Sequence, residues 1–210
     1  MKYVSIDLEM TGKDPSYCQI LQFGAVIEDT RNIQPLDKLP IFNCIVEHER
    51  YIGEPRALSM HSEIFEKLAE VQEAYREKRV EIRKKHNILQ LNLVAKSFAM
   101  WLKNNWISET IDTGAILINV AGKNFGTVDK RFIDLIPGWK ESIIIRQRVL
   151  DPAILLTDWQ KDDTVPNLDK CKKRLGIDGK VTHDALSDAL DVIQVLREVT
   201  DNYQSRFFGN

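Results

Sequence analysis

The sequence contains little cysteine. Cys18, Cys44 and Cys171 are the only three in 210 residues, and no two of them form a Cys-x-x-Cys pair. This spacing argues against a zinc ribbon and against a disulfide framework. We therefore expect reduced thiols and a cytoplasmic location.

The chain also lacks an excess of positive charge. Its 29 lysine and arginine residues are offset by 31 aspartate and glutamate residues, which gives a net charge of −2. A domain that binds nucleic acid through a basic surface usually carries a clear positive excess. If nucleic acid is the substrate, local lysines and bound cations must attract it.

Long apolar runs are absent as well. No stretch is long enough to span a bilayer, and the N-terminus runs directly into a strand pattern without a charged leader and an apolar core. We therefore predict no signal peptide and no membrane association.

The first fifty residues indicate β-strands. In residues 3–9, Val4, Ile6 and Leu8 alternate with polar side chains, as in a strand with one apolar face. Residues 19–29 and 40–48 also read as strands, and the links between the three are short. This arrangement predicts three antiparallel strands at the start of the domain.

The middle of the chain changes to a helical pattern. Residues 62–105 are helix-like, and between 63 and 85 opposite charges are interspersed without proline or glycine. This favours a salt-bridged helix or helical hairpin that projects from the core. The alternative is an arm that clamps substrate or binds a partner protein. We place this charged helical insertion at about 65–95.

Strands and helices alternate in the remainder. Residues 115–121 form a continuous apolar run, typical of a strand covered on both faces. Helices are predicted at 128–136, 167–175 and 184–203, with a brief strand at 147–150. Because the length suits one α/β domain and is short for two, we predict a single domain, 1–210, with a mixed central sheet flanked by helices.

Two carboxylates stand on the first predicted strand. Because Asp7 and Glu9 are two residues apart, both point to one side of the strand while Leu8 points to the other. Adjacent carboxylates repel each other, and a hard divalent cation such as Mg²⁺ or Mn²⁺ would relieve that repulsion. Taken alone, such a pair is more typical of a solvated strand face than of a metal site.

A histidine and an aspartate stand at the start of the last predicted helix. Five helical steps would place His183 and Asp188 about 140° apart, so His183 must precede the regular helix if they share a site. Thr182 is the expected N-cap, and a histidine at a helix N-terminus suits a general base. The alternative is a surface histidine and a solvated aspartate. Asp184 and Asp191 are expected to be ordinary helix residues, the second facing water.

Asn124 and Asp129 follow the most apolar predicted strand. Charged residues at the C-terminal end of a central strand lie where α/β sheets usually carry function. Asp129 also opens a predicted helix, where a carboxylate would simply favour the helix dipole.

In this order, the three stretches resemble the three motifs of the DEDDh (DnaQ-like) 3′→5′ exonucleases, whose fold is RNase H-like. The string Asp-Leu-Glu-Met-Thr-Gly at 7–12 is similar to the first motif of the oligoribonuclease branch. Residues 53–61 resemble the loop that wedges against the terminal base in the proofreading branch. The similarity continues from Leu150 to the third motif and leaves out roughly residues 65–95.

The resemblance implies a catalytic set and two metal ions. Asp7, Glu9, Asp129 and Asp188 would hold two Mg²⁺ or Mn²⁺ ions, with Asp7 bridging them, and His183 would deprotonate the attacking water. The substrate would be a 3′ end of single-stranded DNA or RNA, and the products would be 5′-nucleoside monophosphates.

It also implies contacts to the terminal nucleotide from Thr11, Gly12, Leu58, His61 and Asn124. His61 has the alternative of packing against its own helix. The family usually places three residues between the motif-two asparagine and aspartate, whereas four separate Asn124 from Asp129 here. We expect a bulge after the strand to absorb the extra residue.

Basic and aromatic residues offer further contacts. A basic cluster near the proposed site either contacts phosphates or forms a solvated helix face; it comprises Lys170, Lys172, Lys173 and Arg174. The tryptophans are expected to pack in or near the core rather than to stack on bases; they are Trp101, Trp106, Trp139 and Trp159.

Two alternatives stand beside the leading prediction of a DNA or RNA 3′ exonuclease. The first is an oligoribonuclease or RNase T-like enzyme that trims RNA. The second is a proofreading-type module that acts mainly by binding a partner protein through residues 65–95.

Overall fold

The computed structural model describes residues 1–105, 110, 114–179 and 182–207, the last six by their backbone only. The first half contains β1 (Lys2–Met10), β2 (Ile20–Asp29), β3 (Ile41–Glu47), α1 (Pro55–Met60), α2 (Ser62–Glu73), α3 (Arg76–Lys85), β4 (Ile88–Gln90) and α4 (Leu91–Asn105). The second half contains β5 (Ile116–Ile118), β6 (Val120–Ala121), α5 (Asp129–Ile133), α6 (Trp139–Ser142), β7 (Ile143–Ile145), α7 (Leu168–Leu175) and α8 (Ala185–Phe207). Short 3₁₀ helices lie at Leu36–Lys38 and Pro152–Leu156.

The central sheet is mixed and has the strand order β4-β3-β2-β1-β6. β1 pairs antiparallel with β2, and β2 pairs antiparallel with β3. β4 and β6 are parallel to their neighbours β3 and β1. The predicted α/β class and the three antiparallel opening strands are therefore confirmed.

The two faces of β1 have different surroundings. Val4, Ile6 and Leu8 belong to the largest hydrophobic cluster, together with Phe98 of α4 and Trp139 of α6. The opposite face is covered by α8, which packs on β1 and β2. Asp7 and Glu9 lie on this second face because side chains alternate along a strand. The packing of α8 therefore determines which groups lie next to the two carboxylates.

The apolar run at 115–121 is not one strand, as was predicted, but two. β5 pairs with β7 in a separate two-stranded parallel sheet, whereas β6 joins the central sheet. Asn119 lies between them and binds the β1 backbone: its carbonyl accepts from the Val4 N–H at 2.9 Å, and its side chain donates to the Lys2 carbonyl at 3.0 Å. One polar residue thus divides the run.

The strand predicted at 147–150 is also wrong. The strand lies earlier, at Ile143–Ile145, where three consecutive β-branched residues favour an extended backbone. Leu150 makes only an isolated bridge to Ala121.

Residues 62–85 form a helical hairpin, one of the two forms predicted for this stretch. Beyond the hairpin, the helical pattern predicted for 62–105 is interrupted, because Asn87 takes a left-handed φ of 50° and β4 then pairs with β3; the helix resumes as α4 and reaches Asn105. α2 buries one face against the sheet, whereas α3 buries no residue. The buried residues of α2 are Ile64, Leu68 and Val71.

Ion pairs join the hairpin to itself and to the sheet. Glu70 of α2 pairs with Lys85 at 3.2 Å and with His86 at 2.9 Å. Arg83 of α3 makes two hydrogen bonds to Glu47 at the end of β3, at 2.8 and 3.0 Å. The hairpin therefore lies against the edge of the sheet instead of projecting freely from it.

The tryptophans divide between core and surface. Trp139 is buried and Trp101 stacks on Phe98 at 5.3 Å, as predicted. Trp159 contradicts the prediction because it is 79% exposed. It lies in a turn that is closed by hydrogen bonds between Asp158 and Asp162. Trp106 lies outside the described residues.

The cysteines are buried and form no disulfide. A search of the described helices finds none that combines the length and apolarity needed to cross a membrane.

Gly24 of β2 lies opposite Asp7 of β1 and beneath the first turn of α8. A Cβ atom at this position would overlap backbone atoms of Ala185 and Leu186. The missing side chain therefore allows the helix to approach the strands closely.

We expect Gly24→Ala to lower the free energy of unfolding by about 1–3 kcal/mol, because the α8 backbone must move to accept the methyl group. Gly126→Ala is the matched control: a Cβ there would meet nothing within 4 Å, so stability should hold or rise slightly. Urea unfolding measures both variants. Equal stability of the two would contradict the close approach of α8 to β2.

Candidate active site

Four of the predicted carboxylates converge on the face of β1 that α8 covers. Glu9, Asp129 and Asp188 are buried, with 8%, 4% and 7% of their surfaces exposed, and Asp7 is partly buried. β1 supplies two of these residues, the first turn of α5 supplies Asp129, and the first turn of α8 supplies Asp188.

Asp129 is fixed directly to β1. Its Oδ1 accepts a hydrogen bond from the backbone N–H of Leu8 at 3.2 Å. Leu8 stands between Asp7 and Glu9, so this bond holds the third carboxylate beside the first two. The prediction that Asp129 opens a helix is confirmed.

His183 lies just before α8, as a shared site with Asp188 requires. It has a left-handed φ of 54°, which turns the chain before the helix starts at Ala185. Glu9, His183 and Asp188 each offer one ligand atom, and these three atoms lie within 4.8 Å of one another. The structure therefore brings the histidine and the carboxylates into one group.

The N-cap of α8 is Asp184 and not Thr182, which corrects the prediction. The Oδ1 of Asp184 accepts from the Ser187 N–H at 2.9 Å and from the Ser187 hydroxyl at 2.8 Å. The helix starts directly after Asp184, so Thr182 lies too far away to cap it. The backbone of Thr182 instead makes a hydrogen bond that lowers the pKa of Asp188.

Burial raises the pKa of all four carboxylates, and nearby negative charges add to the shift for Asp7, Glu9 and Asp188. Desolvation, and then the charges of Asp129, Asp188 and Glu9, raise the pKa of Asp7 well above its ordinary value. The pKa of Glu9 rises to about 8, through burial and then the nearby charges of Asp188 and other carboxylates.

The two carboxylates that the helices supply behave alike. Burial raises the pKa of Asp129 to about 7. Burial and then the charge of Asp191 raise the pKa of Asp188 to about 6, although the charge of His183 opposes this shift. The group therefore resists full ionisation unless a positive charge accompanies it.

The donor set fits a hard divalent cation. The Oδ1 of Asp188 is buried and has no hydrogen-bond partner among the described residues. Carboxylate oxygens are preferred ligands of Mg²⁺ and Mn²⁺, and a cation would relieve both the unpaired oxygen and the repulsion.

His61 reaches the same site from the start of α2. Its Nε2 lies 3.4 Å from the Oε2 of Glu9, and its ring is buried. Burial and then the charge of His183 lower the pKa of His61, which favours a neutral ring. Leu58, one turn earlier on α1, is half-buried. His61 therefore forms one wall of the site.

Thr11 and Gly12 join the end of β1 to this wall. The N–H of Thr11 donates to the Gln19 carbonyl at 2.8 Å, and the Thr11 carbonyl accepts from the Glu54 N–H at 2.7 Å. The Thr11 hydroxyl donates to the Ile52 carbonyl at 2.6 Å. Both backbone groups of Thr11 are thus engaged within the protein.

Asn124 lies in the turn that precedes Asp129, with a left-handed φ of 57°. Its carbonyl accepts from the Val128 N–H at 3.0 Å, and its side-chain oxygen accepts from Lys123 at 2.7 Å. This turn absorbs the additional residue between Asn124 and Asp129, so the predicted bulge is wrong. In the described part of the chain, Asn124 makes no hydrogen bond to the four carboxylates.

The predicted basic cluster on α7 is largely paired with acidic residues. Lys172 is buried, and its Nζ lies 2.6 Å from the Oδ2 of Asp191. Asp191 therefore does not face water, contrary to prediction, because Lys172 covers it. Lys170 and Arg174 both pair with Asp162 at 2.6 Å, and Lys173 remains well exposed.

Two buried polar residues at the site were not predicted. The hydroxyl of Ser5 donates to the Ala189 carbonyl of α8 at 2.7 Å. The side chain of Gln22 donates to Asp184 at 2.8 Å. The sequence does offer one sign of Gln22: it is a glutamine in the otherwise apolar stretch of β2, and a buried polar residue needs a hydrogen-bond partner.

Comparison with known proteins supports an exonuclease-like fold. The family model described as Exonuclease (RNase_T) matches residues 4–196. No curated protein matches the chain. Among solved structures, cell-death related nuclease 4 (CRN-4) has a TM-score of 0.58 at 14% identity, with 96% of this chain and 64% of that chain covered.

Bacterial exonuclease I structures show the same fold. The zinc-bound E. coli ExoI–ssDNA complex has a TM-score of 0.58 at 15% identity, covering 99% of this chain and 42% of that chain. Exonuclease I from Methylocaldum szegediense has a TM-score of 0.56 at 17% identity, covering 95% and 40%. The chain spans less than two thirds of the length of each of these proteins.

The predicted RNase H-like arrangement, a mixed central sheet flanked by helices, is confirmed by these structures. Because the family model covers nearly the whole chain, this protein belongs to the DnaQ-like exonuclease family.

Proposed function

We propose that this protein is a metal-dependent nuclease that removes 5′-nucleoside monophosphates from the 3′ ends of single-stranded nucleic acid. The observation that carries the proposal is the convergence of four carboxylates and His183 in a member of an exonuclease family. Family membership supports hydrolysis of nucleic acid. The 3′→5′ direction rests on the resemblance of the three motifs.

Asp7, Glu9, Asp129 and Asp188 would hold the cations, Mg²⁺ or Mn²⁺. The bridging role proposed for Asp7 rests on the resemblance of the three motifs, and the charges of the other three carboxylates all act on Asp7. Such ions would supply an activated water and stabilise the leaving oxygen. The unpaired Oδ1 of Asp188 supports the assignment.

His183 would act as the general base, with a ring nitrogen accepting the proton of the attacking water. Its position before α8 places that nitrogen next to Glu9 and Asp188 but outside the helix, where it is exposed. His61, neutral and against Glu9, would help to form the pocket for the terminal nucleotide with Leu58 and the backbone at Gly12.

Single-stranded DNA is the first substrate to test. Three similar structures are complexes of E. coli exonuclease I, one with single-stranded DNA and two with dT13 oligonucleotides. RNA trimming remains the alternative, because the motif at 7–12 resembles the oligoribonuclease branch.

Partner binding through residues 65–95 is a further proposal. α3 buries no residue, and Tyr75 and Val80 are 82% and 70% exposed in this segment. These exposed apolar side chains favour a contact surface on the hairpin that is separate from the carboxylate site.

We expect 5′-labelled DNA or RNA oligomers to shorten stepwise from the 3′ end when Mg²⁺ or Mn²⁺ is present. Asp7→Asn and Asp188→Asn should each lower this activity by at least about 100-fold. Loss of a residue that only hydrogen-bonds to a metal ligand usually lowers activity by about 10–100-fold, and loss of the ligand itself should lower it further. Asp37→Asn, at a well-exposed aspartate, should retain activity. Full activity in either site variant would refute the metal-ligand assignment.

His183→Ala should lower kcat by about 10²–10⁴-fold, because the attacking water loses its proton acceptor. At saturating metal, the dependence of kcat on pH should differ between the parent protein and the variant, because a general base contributes to the rate only in the parent. His86→Ala is the control, since His86 binds Glu70 in the hairpin. An identical pH profile in parent and His183→Ala would exclude the general-base role.

A further inference from the structure

Gln22 lies at the point where the two halves of the carboxylate site meet. It is paired with Glu9 across β1 and β2, and only 6% of its surface is exposed. Directly paired residues of antiparallel strands project from the same face. Gln22 therefore lies beside Glu9 on the face that α8 covers.

The side-chain amide of Gln22 makes three hydrogen bonds. Its Nε2 donates to the Oδ1 of Asn43 on β3 at 3.1 Å and to the Oδ2 of Asp184 at 2.8 Å. Its Oε1 accepts from the N–H of Ala185, the first residue of α8, at 3.3 Å. A carboxamide is required here, because one end must donate to a carboxylate while the other accepts from a backbone N–H.

Asp184 links Gln22 to the start of α8. One carboxylate oxygen binds Gln22, and the other caps α8 through Ser187. His183 immediately precedes this cap, and Asp188 follows one turn later. The orientation of both residues toward Glu9 therefore depends on where Gln22 holds the start of the helix.

We propose that Gln22 is a positioning residue for the metal site: it aligns His183 and Asp188 on α8 with Glu9 on β1. Gln22 contacts neither the substrate nor the cations in this proposal, which rests on the proposed function for the identity of the site. Loss of its hydrogen bonds lets the first turn of α8 shift, so that the ligands no longer converge.

The test is Gln22→Glu, which keeps the shape but replaces the amino group with an oxygen facing the Asp184 carboxylate. Mn²⁺ binding to the free protein, followed by electron paramagnetic resonance, should weaken by about 10–100-fold, the usual effect of losing a ligand's supporting partner. With saturating Mn²⁺, kcat should fall while KM for an oligonucleotide stays unchanged. Gln160→Glu, at an exposed glutamine, should bind Mn²⁺ as the parent does.

A second variant separates this role from simple packing. Combining Gln22→Glu with Asp184→Asn restores one donor and one acceptor across the contact, and the new amide oxygen can still cap Ser187. The double variant should recover most of the lost Mn²⁺ affinity. If Gln22→Glu alone does not fold, recovery of both folding and Mn²⁺ affinity in the double variant supports the proposal equally.

Unchanged Mn²⁺ affinity in folded Gln22→Glu would overturn the positioning role, and so would a double variant that recovers nothing. These outcomes are distinct from failure of the proposed function. A parent protein that binds Mn²⁺ but cleaves no nucleic acid would refute the nuclease proposal, while the comparison of Mn²⁺ affinities would still test Gln22.

Discussion

The burial of four carboxylates side by side is the constraint on which the rest of this structure depends. Burial raises the pKa of Asp7, Glu9, Asp129 and Asp188, and neighbouring negative charges raise the pKa of Asp7, Glu9 and Asp188 further. In a folded protein such a group costs stability when it ionises without a compensating charge. The surrounding elements must therefore hold the carboxylates together in the absence of a neutralising charge.

The anchoring contacts are short and come from different parts of the chain. The N–H of Leu8 holds Asp129 to β1, and the hydroxyl of Ser5 holds α8 at Ala189. The absent side chain at Gly24 lets the helix approach, and Gln22 fixes its first turn. Together these contacts make α8 a fixed partner of β1, although the two elements are far apart in sequence.

The sequence predicted the parts of the site that depend on local spacing. Alternation in β1 placed Asp7 and Glu9 on one face, and the five-residue separation of His183 from Asp188 required a histidine outside the helix. Both features follow from backbone geometry alone. The order of the three motifs then indicated which aspartates belong together.

Features that depend on distant partners were not predictable in this way. Asp191 was expected to face water because nothing in its helix reveals that Lys172 covers it. The run at 115–121 divides because Asn119 binds the backbone of β1, more than a hundred residues away in sequence. Asp184 caps α8 because His183 turns the chain sharply, a conformation that composition does not reveal.

The most direct test of the proposed cation site is the free energy of unfolding as a function of pH, with and without Mg²⁺. In the folded protein, the pKa values of Asp188, Asp129 and Glu9 are raised to about 6, 7 and 8. At a pH above the ordinary pKa of a carboxylate, the unfolded chain therefore binds fewer protons than the folded protein. The stability of the metal-free protein should therefore fall as pH rises from about 5 to 8. If Mg²⁺ binds the ionised carboxylates as proposed, the stabilisation that it gives should grow over the same interval. A pH-independent stability that Mg²⁺ does not change would contradict the account.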